Sequence, residues 1–285
     1  MKKITILFLM GLLVGQGILS ADSYFAAKEG KISYFKIGSG VRNVILIPGI
    51  GDTKENYSEL AEILSHNAVV YGMDLRGMGG SDVGFSSYGP EETGKDIVAF
   101  IRENKLTNVS IISNSMSAAS AVFAASELPK EVETIVLTGP FVREGEGLNW
   151  FMKLLINGMF RGPWGASAWK SYYQSLYPNF KPSDLESHSD FLKQNLKEEG
   201  RLSALRSMLF AEKKECESRI KSVKSKVLIL MGSEDPDFPN PEEEAKWIAS
   251  EMNASYVMYP GAGHYPYKED PSKTADLVRQ IWQKK

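Results

Sequence analysis

Short aliphatic and β-branched runs punctuate the chain at Val44 to Ile47, Ala68 to Met73, Val109 to Ile112, Thr134 to Leu137, Val227 to Met231 and Ser255 to Met258. Runs this short with continuous apolar character fit strands buried on both faces. The segments between them, such as Glu91 to Asn104 and Pro241 to Met252, place apolar residues at helical spacing and are long enough to be crossovers. Tyr24 to Gly40 reads as an edge hairpin. Strand alternating with helix predicts an α/β fold: a doubly wound, mostly parallel sheet with helices on both faces. The rhythm breaks between Leu137 and Val227, where Leu148 to Phe160, Ala166 to Tyr177, Asp184 to Lys197 and Leu202 to Lys213 look helical, punctuated by Gly162, Pro163, Pro178, Pro182 and Gly200. A helical insert late in the sheet is a candidate lid. The expected division is a core of residues 22–142 and 222–285, with residues 143–221 as the insert.

The N-terminus follows a different pattern. Lys2 and Lys3 lead an apolar run from Ile4 to Val14, and small residues follow up to Ser20 and Ala21. That layout predicts an export signal over residues 1–21, hence a periplasmic or secreted protein, because the run is shorter than the ~20 residues a spanning helix needs. An uncleaved segment extended through Ile18 and Leu19 is the alternative, and the one route by which a membrane would be a partner.

Composition narrows the function classes. Of 285 residues, 43% are hydrophobic and 24% charged, an ordinary globular balance. Lys and Arg total 33 against 35 Asp and Glu, so no basic surplus exists to neutralise a phosphate backbone, and nucleic acid is not an expected partner. The lone Cys216, among Lys213, Lys214, Glu215 and Glu217, can form neither an internal disulfide nor a metal cluster, and is read as incidental.

The informative stretch is Val109 to Ala125, where a buried strand runs into Ser113, Asn114, Ser115, Met116 and Ser117 and then an alanine-rich helix. So abrupt a turn strains its central residue and tolerates only small neighbours, which marks Ser115 as a candidate nucleophile. A serine hydroxyl needs an imidazole to take its proton and a carboxylate to orient that imidazole. Of the 3 histidines, His264 follows the last strand in a glycine-rich loop, whereas His66 and His188 lie in segments that read as solvated surface. Asp235, just beyond the Val227 to Met231 strand, is the preferred acid over its neighbours Glu234 and Asp237. Pro48 to Gly51 turns sharply after another buried strand, and the backbone amides of Ile50 and Met116 are candidates for an oxyanion hole.

These residues resemble the α/β-hydrolase superfamily across nearly the whole chain beyond the export signal. Pro48 to Gly51 is similar to its oxyanion turn, Asp74 to Asp82 to the loop after its fourth strand, Ser113 to Ser117 to its nucleophile elbow, and Gly232 to Asp235 and Gly261 to His264 to its acid and base loops. Serines stand where the elbow usually has glycines, and Pro48 stands where a histidine is common. The resemblance implies a structural role for the Asp74 to Asp82 loop and an acyl-enzyme route, since Ser115 is not the aspartate that dehalogenases and epoxide hydrolases use. It also makes the insert a cap, whose Trp150, Phe151, Trp164 and Trp169 are candidate substrate contacts. The expected activity is hydrolysis of a small apolar ester, without metal or cofactor. A C–C bond hydrolase, a peroxidative relative and a non-catalytic ligand-binding protein are the alternatives.

Overall fold

Strands buried on both faces shape the core of the computed structural model, which describes residues 22–144 and 150–284 except the side chains of residues 150–153. The expected export signal lies outside the described residues. The strands are β1 (Ser23–Ala27), β2 (Gly30–Gly38), β3 (Asn43–Ile47), β4 (Val69–Met73), β5 (Val109–Asn114), β6 (Val132–Thr138), β7 (Lys226–Gly232) and β8 (Ser255–Tyr259). They form one sheet in the order β1-β2-β4-β3-β5-β6-β7-β8. β1 and β2 make the antiparallel edge, and every pairing from β4 through β3 to β8 is parallel.

Successive side chains of a strand point to opposite faces, and here each face has its own core. Ile45, Ile111, Ile135 and Ile229 pack on one side with Ile97, Phe100 and Ile248 from helices Pro90–Glu103 and Pro241–Met252. Val44, Ile112, Val136 and Leu228 pack on the other with Leu60, Leu64 and Val278 from helices Ser58–Ser65 and Pro271–Gln283. Both sides being covered explains why the parallel strands read as unbroken apolar runs.

The insert between β6 and β7 is helical, as its pattern predicts: Trp150–Met159, Gly165–Ser175, Leu185–Leu196 and Arg201–Leu209. The last of these is shorter than expected, because the chain turns at Phe210 and resumes as a separate short helix, Lys214–Ser218.

Two buried ion pairs fix the loop after β4. Lys54 Nζ lies 2.7 Å from Asp74 Oδ2, while the Asp74 carboxylate also accepts from the amides of Lys54 and Gly80, each at 2.9 Å. Arg76 grips Asp96 with both arms of its guanidinium, at 2.5 and 2.8 Å. Burial disfavours the Lys54 charge, but Asp74 and Glu55 outweigh it and hold the ammonium above its ordinary value. Removing one partner of such a pair strands the other charge in the interior. Lys54→Met should therefore lower the unfolding free energy by about 3–5 kcal/mol, read from urea denaturation; a midpoint equal to the native one would show that Asp74 is satisfied without it.

Candidate active site

At the end of β5 the chain passes from strand to helix Ser117–Glu127 through Ser115 and Met116 alone. Ser115 takes a left-handed backbone with φ of 58°, rare for a residue with a Cβ. Its amide donates to the Thr138 carbonyl at 3.0 Å, and its carbonyl accepts from the Phe141 amide at 3.1 Å, so the end of β6 and the loop after it hold the turn. The Ser117 hydroxyl accepts from the Asn114 amide at 3.1 Å and reaches the Ile47 carbonyl at 3.0 Å. The serine found in place of the usual glycine thus ties the elbow to the end of β3.

His264 arrives from the loop after β8. Its amide donates to Leu176 in the insert at 3.0 Å, and its carbonyl accepts from the Asn114 side chain at 3.1 Å. The ring stands over Gly139, where a Cβ would lie 3.0 Å from Nδ1; that glycine is also left-handed, at φ 49°. Nδ1 lies 2.8 Å from Oδ2 of the buried Asp235. A carboxylate only accepts, so Nδ1 carries the proton, and Nε2 offers its lone pair when the ring is neutral.

Ser115 and His264 border one cavity of about 330 Å³, together with Ile50, Met116, Trp169 and Tyr172. Met116 begins the elbow helix, where first-turn amides lack an intrahelical acceptor. A wider depression of about 760 Å³ at Phe85 and Glu212 touches none of these residues. Asp235, Asp237 and His264 bring ligating atoms within 4.8 Å of one another. Asp235 accepts from the imidazole, and Asp237 accepts from the Tyr172 hydroxyl, at 2.7 and 2.9 Å from its two oxygens.

Residues 44–277 match the model of the alpha/beta hydrolase family. The chain belongs to this family. Among curated proteins it is 32% identical over 108 residues to the N-formylmaleamate deformylase of Pseudomonas putida, covering 38% of this chain and 40% of that protein. It is 25% identical over 118 residues to a probable alcohol acetyltransferase of Cyberlindnera jadinii, covering 41% of this chain and 33% of that one. The chain thus spans well under half the length of either relative. The crystal structure of a bromoperoxidase from Bacillus anthracis superposes with a TM-score of 0.78 at 15% identity, over 93% of this chain and 100% of that one, a likeness of fold.

Within this alpha/beta hydrolase the aromatic candidates separate. Trp169 is buried beside the cavity and donates its indole N–H to the Gly51 carbonyl at 2.9 Å. A Cβ on Gly51 would lie 2.3 Å from the same indole, so the turn and the tryptophan require one another. Trp164 departs from expectation: it is 58% exposed, bonded to the Gly158 carbonyl at 3.0 Å, and away from the cavity. The side chains of Trp150 and Phe151 lie outside those described.

His188, read from sequence as solvated surface, is buried and bonds Asp52 Oδ1 at 2.8 Å. Among the rival acids, Glu234 is exposed, whereas Asp237 faces the cavity with Oδ2 3.9 Å from His264 Nε2. Asn114, the last residue of β5, is a positioning residue that the sequence reading missed; its signal was a buried amide next to the candidate nucleophile. Cys216 is buried, and burial pushes its thiol up to about 12, consistent with an inert side chain.

Burial alone would depress the His264 imidazole, but the Asp235, Asp237 and Asp52 carboxylates outweigh it and push the ring up to about 9, from 6.5. Because the folded value lies above the ordinary one, the protonated ring adds stability in full below 6.5, and that share is lost as pH rises through about 9. In a ring-nitrogen NMR titration His264 should therefore change state near 9, and Asp237→Asn should lower its midpoint. A native midpoint at 6.5 would mean that the carboxylates do not act on the ring as their positions require.

Proposed function

We propose that the chain is a serine hydrolase that cleaves small apolar carboxylic esters through an acyl-enzyme. Ser115 is the nucleophile, His264 the base and Asp235 the residue that orients it. The observation that carries this reading is that a serine in strained backbone and an imidazole fixed by a buried carboxylate border one cavity. A packing motif has no use for such a combination.

In the reaction, neutral Nε2 takes the Ser115 proton as Oγ bonds to the substrate carbonyl carbon. The charge that develops on the carbonyl oxygen meets the Ile50 and Met116 amides, which lower the barrier by about 3 kcal/mol per donor. Collapse of the tetrahedral intermediate breaks the bond to the leaving oxygen, and that oxygen takes the proton from Nε2. Water, deprotonated by the same nitrogen, then frees the acid and restores Ser115. Asp235 holds the Nδ1–H and steadies the imidazolium throughout. The apolar walls supplied by Ile50, Met116 and Trp169, and the volume of about 330 Å³, favour a short acyl chain. The names of the two curated relatives, a deformylase and an acetyltransferase, describe removal or transfer of an acyl group, which suits the same intermediate.

A fluorophosphonate probe should label the native chain and fail on Ser115→Ala and His264→Ala. On p-nitrophenyl esters from acetate to octanoate, Asp235→Asn should lower kcat by about 10⁴, far more than Asp237→Asn does. Labelling that persists in Ser115→Ala would move the nucleophile elsewhere, and ester turnover no faster than an albumin control would favour a ligand-binding protein.

A further inference from the structure

Asp237 is a second carboxylate inside the cavity, and orienting the imidazole does not require it. Its side chain is 18% exposed, and Oδ2 lies 3.9 Å from His264 Nε2, beyond hydrogen-bond length but near enough for one substrate to touch both. Tyr172, from helix Gly165–Ser175 of the insert, places its hydroxyl 2.7 and 2.9 Å from the two carboxylate oxygens. One proton straddling both oxygens fixes the plane of the carboxylate and leaves about two of its roughly four acceptor sites open. The wall nearby is apolar, with Phe141 and Phe238 stacked at 4.4 Å beside the imidazole. A partly desolvated acceptor with spare capacity favours any ligand that brings a donor and disfavours one that brings an anion.

Position decides which part of a substrate this acceptor reads. Nε2 returns its proton to the leaving atom, so a group 3.9 Å from Nε2 adjoins the leaving group rather than the acyl chain. The geometry points to Asp237, braced by Tyr172, as the specificity-determining acceptor for leaving groups that carry a hydroxyl or amide N–H about three bonds from the scissile oxygen. This deepens the hydrolase reading and rests on it for the identity of the leaving side. Burial holds the Asp237 carboxyl above its usual range, with the His264 charge and the Tyr172 hydrogen bond opposing, as expected of a carboxylate kept short of water. The other charged group acting on it is Asp235, which is paired with the imidazole.

The test uses 2-hydroxyethyl butyrate and n-propyl butyrate, which differ by a hydroxyl in place of a methyl group on the leaving side. The deciding quantity is the ratio of kcat/KM for the two esters, compared between variants on the alkaline plateau so that the cost of desolvating the hydroxyl cancels. Relative to the native ratio, Asp237→Leu should lower it about tenfold, and Asp237→Asn, which keeps a neutral acceptor, about threefold. A ratio unchanged within about twofold in Asp237→Leu, or in Asp237→Asn if the leucine variant does not fold, overturns the assignment. Calorimetric Kd values of both esters in Ser115→Ala, with and without Asp237→Leu, separate this claim from the hydrolase reading. If the native chain turns over neither ester, that reading fails, while a Kd ratio that drops with Asp237→Leu upholds the acceptor and an unmoved one removes it.

Discussion

Turning a fully buried strand into a helix across Ser115 and Met116 forces Ser115 into a left-handed backbone, and a conformation of this kind costs about 1–3 kcal/mol for a residue with a side chain. It persists because its surroundings leave no alternative. The amide and carbonyl of Ser115 are both taken, by Thr138 and Phe141, and the Ser117 hydroxyl locks the elbow to the last carbonyl of β3. Asn114, one residue earlier, spends its side-chain N–H groups on Thr138 and on His264. The hydrogen bonds that hold the strained turn therefore also reach β6, the end of β3 and the loop that carries His264. A parallel sheet covered on both faces leaves its carboxyl ends as the place where such loops converge.

That logic explains which parts were legible in the sequence. The strands were, because burial on both faces writes itself as continuous apolar runs, and β3 to β8 lie where those runs lie. Ser115, Asp235 and His264 stand out as candidates because each lies in a loop just beyond a strand. His188 was not: its neighbours Glu186, Ser187 and Asp190 are polar, and its partner Asp52 lies 136 positions away, so nothing local reveals the contact. Trp164 and Trp169 show the limit of composition. Both are large and apolar, but positions five apart fall on different sides of a helix of about 3.6 residues per turn, and Trp164 stands at the helix entry, facing solvent. Asp237 was weighed only as a rival acid, since sequence carries no sign that Tyr172 would reach it from the insert.

The insert does more than roof the cavity. Trp169 bonds the Gly51 carbonyl, His188 bonds Asp52 on the same turn, Leu176 accepts from the His264 amide, and Tyr172 bonds Asp237. Each contact falls on a loop that also carries a group of the site. Displacing helices Gly165–Ser175 and Leu185–Leu196 would release the turn after β3, the His264 loop and Asp237 together, so losses from Trp169, Tyr172 and His188 variants should not simply add.

This places a constraint on how substrate enters. An opening movement that carried helices Gly165–Ser175 and Leu185–Leu196 together away from the sheet would break those hydrogen bonds and leave the buried Asp52 without His188, at a cost that rises with each group left unpaired. Helix Trp150–Met159 is tied differently. It contributes Ile156 to the cavity, while Leu154, Leu155 and Met159 face outward, 59%, 47% and 49% exposed. A movement confined to this helix would leave the hydrogen bonds of Trp169, Tyr172, Leu176 and His188 intact, because none of them starts from it.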